Sequence, residues 1–94
     1  MKLVERILVV AVRLARNGGL TTVTRAQIAE QADCSEANIS YHYGSMNQMR
    51  HAIVEYALQH EIIEVLSQAR AIRHPSLGRM SPALKERVAN HITR

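Results

Sequence analysis

The sequence predicts an all-α fold of five helices, in which the second and third form a helix-turn-helix. Three observations carry this. Apolar residues recur at three- and four-residue spacing through most of the 94 residues. Thr24-x-x-Gln27 and Ser45-x-x-Gln48 have capping-box form, the signature of a helix start. The one strand-like run, Thr21 to Val23, has no second run to pair with and reads as a connection.

Leu3, Ile7, Val10, Ala11 and Leu14 share one helical face, with Glu5, Arg6, Arg13 and Arg16 off it, and Asn17-Gly18-Gly19 supplies a left-handed stop. A first helix from about Lys2 to Arg16 follows. The second starts at Arg25 behind the Thr24 cap. Ala32-Asp33-Cys34-Ser35 breaks its pattern, Ser35 caps again, and the third helix runs from about Glu36 to His42. Gly44-Ser45 ends it. The pattern then continues from Met46 to about Ile72 as one long fourth helix, roughly 40 Å at 1.5 Å per residue. His74-Pro75-Ser76-Leu77-Gly78 breaks the chain, and Ser81-Pro82 provides a cap and a first-turn proline for a short fifth helix, Ala83 to Ile92.

Composition narrows the setting. With 47% hydrophobic and 21% charged residues the chain is an ordinary folded one, and without Phe or Trp its core is aliphatic. Cys34 is the only cysteine, no leader pattern precedes the first helix, and the longest apolar run, Ile7 to Val12, is far short of the roughly 20 residues of a membrane span. A cytoplasmic protein is expected. The net charge of +4 gathers at the ends: six bases against Glu86 from Arg70 to Arg94, but only Arg25 against Glu30, Asp33 and Glu36 from Thr24 to Gly44. The helix-turn-helix is itself acidic.

Two short helices crossing steeply need a small residue where their axes approach, a tight turn, and apolar anchors. Ala29 is the small residue, Ala32 to Cys34 the turn, and Ile28, Ala32 and Ile39 the anchors. Glu36, Ala37, Asn38, Tyr41 and His42 then face outward. Asn can pair with adenine, Ala can meet a thymine methyl, and Tyr and His can reach backbone oxygens. The same face would serve as a plain solvated surface.

Thr24-Arg25-x-x-Ile28-Ala29-x-x-Ala32-x-x-Ser35, then Ile39-x-Tyr41-His42-Tyr43-Gly44-Ser45 and Met49, resembles the N-terminal domain of the TetR family of bacterial repressors. The likeness runs from about Ile7 to Ala57, and both gaps between helices agree. It implies a three-helix DNA-binding domain (residues 1–57) in which Thr24 and Arg25 touch phosphates, and Ser35, Glu36, Ala37 and Asn38, with Tyr41 and His42, read bases and the adjacent backbone. Tyr43 falls where the family has a core Phe. Met46 stands in place of a phosphate-contacting Lys, leaving only its backbone N–H, and Ser40 and Asp33 replace a Tyr and the turn Gly.

The resemblance also implies a homodimer on a palindromic operator, a repressor in a compact form such as phages, plasmids and other mobile elements carry. Residues 58–94 stand where the family has a large ligand-binding domain, and two helical pieces cannot enclose a few hundred cubic ångströms, so no small-molecule effector is expected. The apolar residues of this extension span more than one face, which points to an interface built from Ile62, Ile63, Val65, Leu66, Ala69, Leu84 and Val88. Arg70, Arg73, Arg79, Lys85, Arg87 and Arg94 would either solubilise the surface or touch flanking phosphates. The five histidines include no pair three or four apart, and Cys34 has no Cys partner, so neither a metal, a cofactor nor catalysis is expected. The alternative function is an antirepressor or protein-interaction module that keeps the fold but binds another regulator.

Overall fold

The computed structural model describes residues 1–91, so the predicted end of the last helix at Ile92 and the terminal Arg94 lie outside the described residues. The first helix, α1 (Leu3–Gly18), buries Ile7, Val10, Ala11, Val12 and Ala15 and stops at Gly19, whose φ is 114°. Thr22 locks the connection that follows: its hydroxyl lies 2.8 Å from Gly18 O and 3.0 Å from Gly19 O. Leu20 and Val23 turn inward from it to anchor the next helix.

The sequence-predicted caps form. Thr24 and Ser45 accept from the backbone N–H groups of Gln27 and Gln48, whose side chains reach back, and so open α2 (Arg25–Ala32) and α4 (Met46–His60). Ser35 does the same for α3 (Glu36–Tyr43), and here the returning side chain is Asn38. Asp33 makes the turn in left-handed conformation (φ 55°), with the N–H of Cys34 bonded to Ala29 O at 3.0 Å. Ile28, Ala32 and Ile39 are fully buried, Ala29 nearly so, and Cys34 packs against the core. The Tyr43 hydroxyl donates to Val4 O at 2.6 Å, tying the end of α3 to the first turn of α1, and burial raises its pKa.

Gly44 leaves α3 at φ 77°, and a Cβ there would sit 2.0 Å from the Gln48 Oε1 that caps α4. Gly44→Ala therefore combines backbone strain with a displaced cap. A loss of roughly 2–3 kcal/mol is expected in denaturant titration, and an unchanged midpoint would contradict it.

The predicted long fourth helix is two helices. Glu61 takes a left-handed conformation (φ 52°), the N–H of Ile62 bonds Ala57 O at 2.9 Å, and α5 (Ile63–Ala71) restarts in a new direction. The cause is visible in the apolar pattern: a straight rod would carry Val65, Leu66 and Ala69 beyond the three-helix domain, about 12 Å or more past Ala57. The bend instead returns them to the core, where all three are fully buried beside α1 and α4. Gln68 completes the join. Its Nε2 donates to Ala15 O at 3.2 Å while its Oε1 accepts from the N–H of Leu20, so one α5 side chain satisfies both edges of the α1 C-terminus. Alongside, Arg16 pairs with Glu64 at 2.7 Å; the backbone N–H at the start of α5, then Arg16, hold that carboxyl below its ordinary range.

A 3-10 turn, Pro75–Arg79, leads to α6 (Pro82–Asn90), which the Ser81 cap and Pro82 open as the sequence predicts. Leu84 and Val88 of α6 cover α5, and Arg87 pairs with Glu61 at the bend. One continuous apolar core runs from Ile7 to Val88, so residues 58–91 are packed with the helix-turn-helix and are not appended to it.

The flank of α4 carries a polar cluster. Glu55 accepts from the Ser76 hydroxyl at 3.0 Å and from Arg79, with His51 Nε2 3.3 Å away, and Arg79 foremost holds its pKa down. His74 accepts the Ser76 N–H on Nδ1 at 3.2 Å, and burial, then His51, lower its pKa against the opposing pull of Glu55. Both groups release protons more readily folded than unfolded. Their stabilisation is therefore complete above the unfolded values and is lost as pH falls through the folded ones. Melting temperature should decline in two stages, first below about pH 6.5 and again below about pH 4.3, and His74→Gln should remove the first stage. A profile level from pH 7 to 5 in the wild type would count against it.

Candidate nucleic-acid interface

Three helix N-termini, those of α2, α3 and α4, follow short turns that the fold holds together. Arg6 of α1 donates from Nε to Ala32 O at 2.8 Å, fixing the end of α2 just before the turn. Arg50 of α4 reaches Val23 O at 3.5 Å, two residues before α2 begins. The Nε atoms of Arg25 and Arg50 are buried without a hydrogen-bond partner among the described residues.

Of the predicted contact residues, Thr24, Ser35, Glu36, Ala37, Tyr41 and His42 are exposed, and Arg25, Asn38 and Met46 are half-buried. Ser35, Glu36, Ala37 and Asn38 form the cap and first turn of α3, and Tyr41 and His42 its last turn. Tyr41 is 77% exposed, a large ring left in water, and it stacks on His42 with centroids 5.0 Å apart and planes 2° from parallel. The Met46 side chain packs against the core, which leaves its backbone in the first turn of α4 as the available group.

The charge of this end is unusual for a surface that meets phosphate. Glu30, Asp33 and Glu36 form no salt bridge among the described residues, whereas Glu55 of α4 and Glu61 and Glu64 of the extension are each paired with an arginine. Arg16, Arg79 and Arg87 are thus spent away from the helix-turn-helix, which keeps its carboxylates bare. Positive potential must come from the helix N-termini, Arg25 and Arg50.

A family model described as bacterial regulatory proteins, tetR family, matches residues 7–53, the span of α1 to the middle of α4. This chain belongs to the TetR family. No curated protein and no solved structure gives a significant match. The TetR family is one of DNA-binding transcription regulators, and α2 and α3 form the helix-turn-helix of this TetR domain.

The sequence reading leaves out Arg50 and one role of Asn38 at this end of the TetR domain. Arg50 lies one turn after Met46 on α4, a spacing that marks it as the cation available near the start of that helix. Asn38 was read only as a base contact; the Ser-x-x-Asn spacing offered its capping role, though Glu or Gln is the usual returning residue.

Most of the predicted dimer surface is engaged within the chain itself. Val65, Leu66 and Ala69 are fully buried, Leu84 is 7% and Val88 1% exposed, all within the chain's own core. Bending at Glu61 and the cover of α6 consume the faces that a straight fourth helix would have offered. Ile62 and Ile63 alone of the predicted set keep free surface. No helix among the described residues is long and apolar enough to cross a membrane.

Proposed function

We propose that this chain is a homodimeric repressor that binds a palindromic operator and occludes a promoter, of the kind that mobile genetic elements carry. The observation that carries the reading is the exposed row along α3, Ser35, Glu36, Ala37, Tyr41 and His42, on a helix whose inner face is fixed by Ile39. A protruding helix with small and polar side chains at its start fits the major groove. One such helix covers few base pairs, and two-fold pairing supplies the second half-site. Ile62 and Ile63, half-buried where α5 begins, are the residues assigned to that pairing. The grooves of the described residues, such as the one of about 360 Å³ between Glu55, Leu58, Met80 and Leu84, are open to solvent, and no small-molecule effector enters this reading.

Selection of binding sites from random duplex DNA tests it: enrichment of a palindrome supports the repressor. No enrichment favours the second reading, an antirepressor that binds another regulator, for which the bare Glu30, Asp33 and Glu36 speak. Sedimentation on the selected site tests the pairing, and a single protomer per duplex would reject it.

A further inference from the structure

Asn38 is half-buried in the first turn of α3, and its side-chain oxygen is already engaged. The backbone N–H of Ser35 donates to Asn38 Oδ1 at 3.0 Å, and the Ser35 hydroxyl lies 2.8 Å from the same atom. Ser35 Oγ in turn accepts the backbone N–H of Asn38 at 3.1 Å. A backbone N–H can only donate, so the atom facing Ser35 is the carbonyl oxygen and the amide NH2 points away from the cap. That NH2 has no partner among the described residues, and Asn38 stands on α3 beside the exposed Ala37 and one turn before the exposed Tyr41 and His42, on the helix assigned to DNA.

We propose that Asn38 reads the operator as a hydrogen-bond donor alone, selecting a guanine at its position in each half-site. The paired contact of an asparagine with adenine needs Oδ1 to accept from N6 while Nδ2 donates to N7. Here Oδ1 serves the helix cap, and freeing it would give up the reciprocal capping box that opens α3. A group with two N–H donors and no acceptor matches the adjacent O6 and N7 of guanine best and the single O4 of thymine next. It is repelled by the N4 amino group of cytosine. Adenine offers N7 but sets its own N6 donor against the amide, with no acceptor to meet it. The cap thus acts as a specificity device: it fixes which half of the amide faces outward and turns an ambidextrous side chain into a one-sided one.

The inference rests on the DNA-reading function, and the test separates the two. Sites are selected from random duplex DNA with the wild type, Asn38→Ala and Asn38→Asp, each checked for its melting temperature. Asn38→Ala identifies the position, as the one base pair per half-site at which preference relaxes. Asn38→Asp keeps an oxygen for the Ser35 N–H and suits the first turn of a helix, but presents only acceptors. Expected are guanine at that position in the wild type and cytosine in Asn38→Asp, each favoured about tenfold over adenine. Adenine in the wild type, the same base in wild type and Asn38→Asp, or no position relaxed in Asn38→Ala overturns the inference while leaving DNA reading intact. Failure of the wild type to enrich any site removes the DNA reading and this inference with it. If Asn38→Asp does not fold, the wild-type base at the Asn38→Ala position still decides.

Discussion

Leu66→Ala is expected to lower the free energy of unfolding by about 3 kcal/mol, within the range for a buried leucine whose site cannot collapse. Leu66 is fully buried in α5, in the part of the core that α1 and α4 share with the extension, and α6 covers the far side. Domains of this size hold roughly 5–15 kcal/mol in all, so the change removes a large share. Its form is as informative as its size. Because Gln68 satisfies Ala15 O and Leu20 N–H across the join, and Arg16 pairs with Glu64 beside it, α5 cannot loosen without exposing the end of α1. One cooperative transition at lower denaturant is therefore expected, with helix signal and Tyr43 environment lost together. Two separate transitions, or a loss under about 0.5 kcal/mol, would mean that the extension is a mere attachment.

The parts of this fold that were legible in the sequence are those set by local chemistry. A hydroxyl three residues before a Gln, a proline at the first position of α6, and a small residue at Ala29 act within one turn, and the chain obeys them. Reading failed where distance entered. Nothing local distinguishes Glu61 from any other exposed helical glutamate; it adopts a left-handed conformation because Val65, Leu66 and Ala69 gain more from the core than the turn costs. The same distance effect bears on the predicted dimer surface, since apolar residues on several faces, which read as area for a partner, are used within the chain by the bend. The clue was present: a stripe wandering over more than one face of a supposed straight helix is better satisfied by a change of direction than by one flat interface. At the candidate site the residue types were readable and their engagements were not. Ser35 and Asn38 were both named, yet that each is the other's hydrogen-bond partner follows from cap geometry and changes what Asn38 can offer a base.

Arg25→Ala is expected to weaken DNA binding about tenfold, the scale of one charge-assisted hydrogen bond near 1.5 kcal/mol, for all sequences alike. The slope of log affinity against log salt should shrink by about one. Arg25 opens α2, beside the N-terminal N–H groups and near the backbone that Arg50 holds at Val23 O, a place suited to phosphate and not to a base edge. Glu36 is its counterpart of opposite sign. It is exposed and unpaired in the first turn of α3, where a carboxylate favours the helix dipole by roughly 0.3–1 kcal/mol while standing within a Debye length, about 8 Å at physiological salt, of any phosphate that α3 approaches. Glu36→Gln should therefore lower the melting point slightly and raise DNA affinity several-fold, most at low salt. Opposite signs from one substitution cannot come from a general loss of structure. If Glu36→Gln lowers both, the first turn of α3 does not face phosphate, and if Arg25→Ala changes the ranking of sites, Arg25 reads a base.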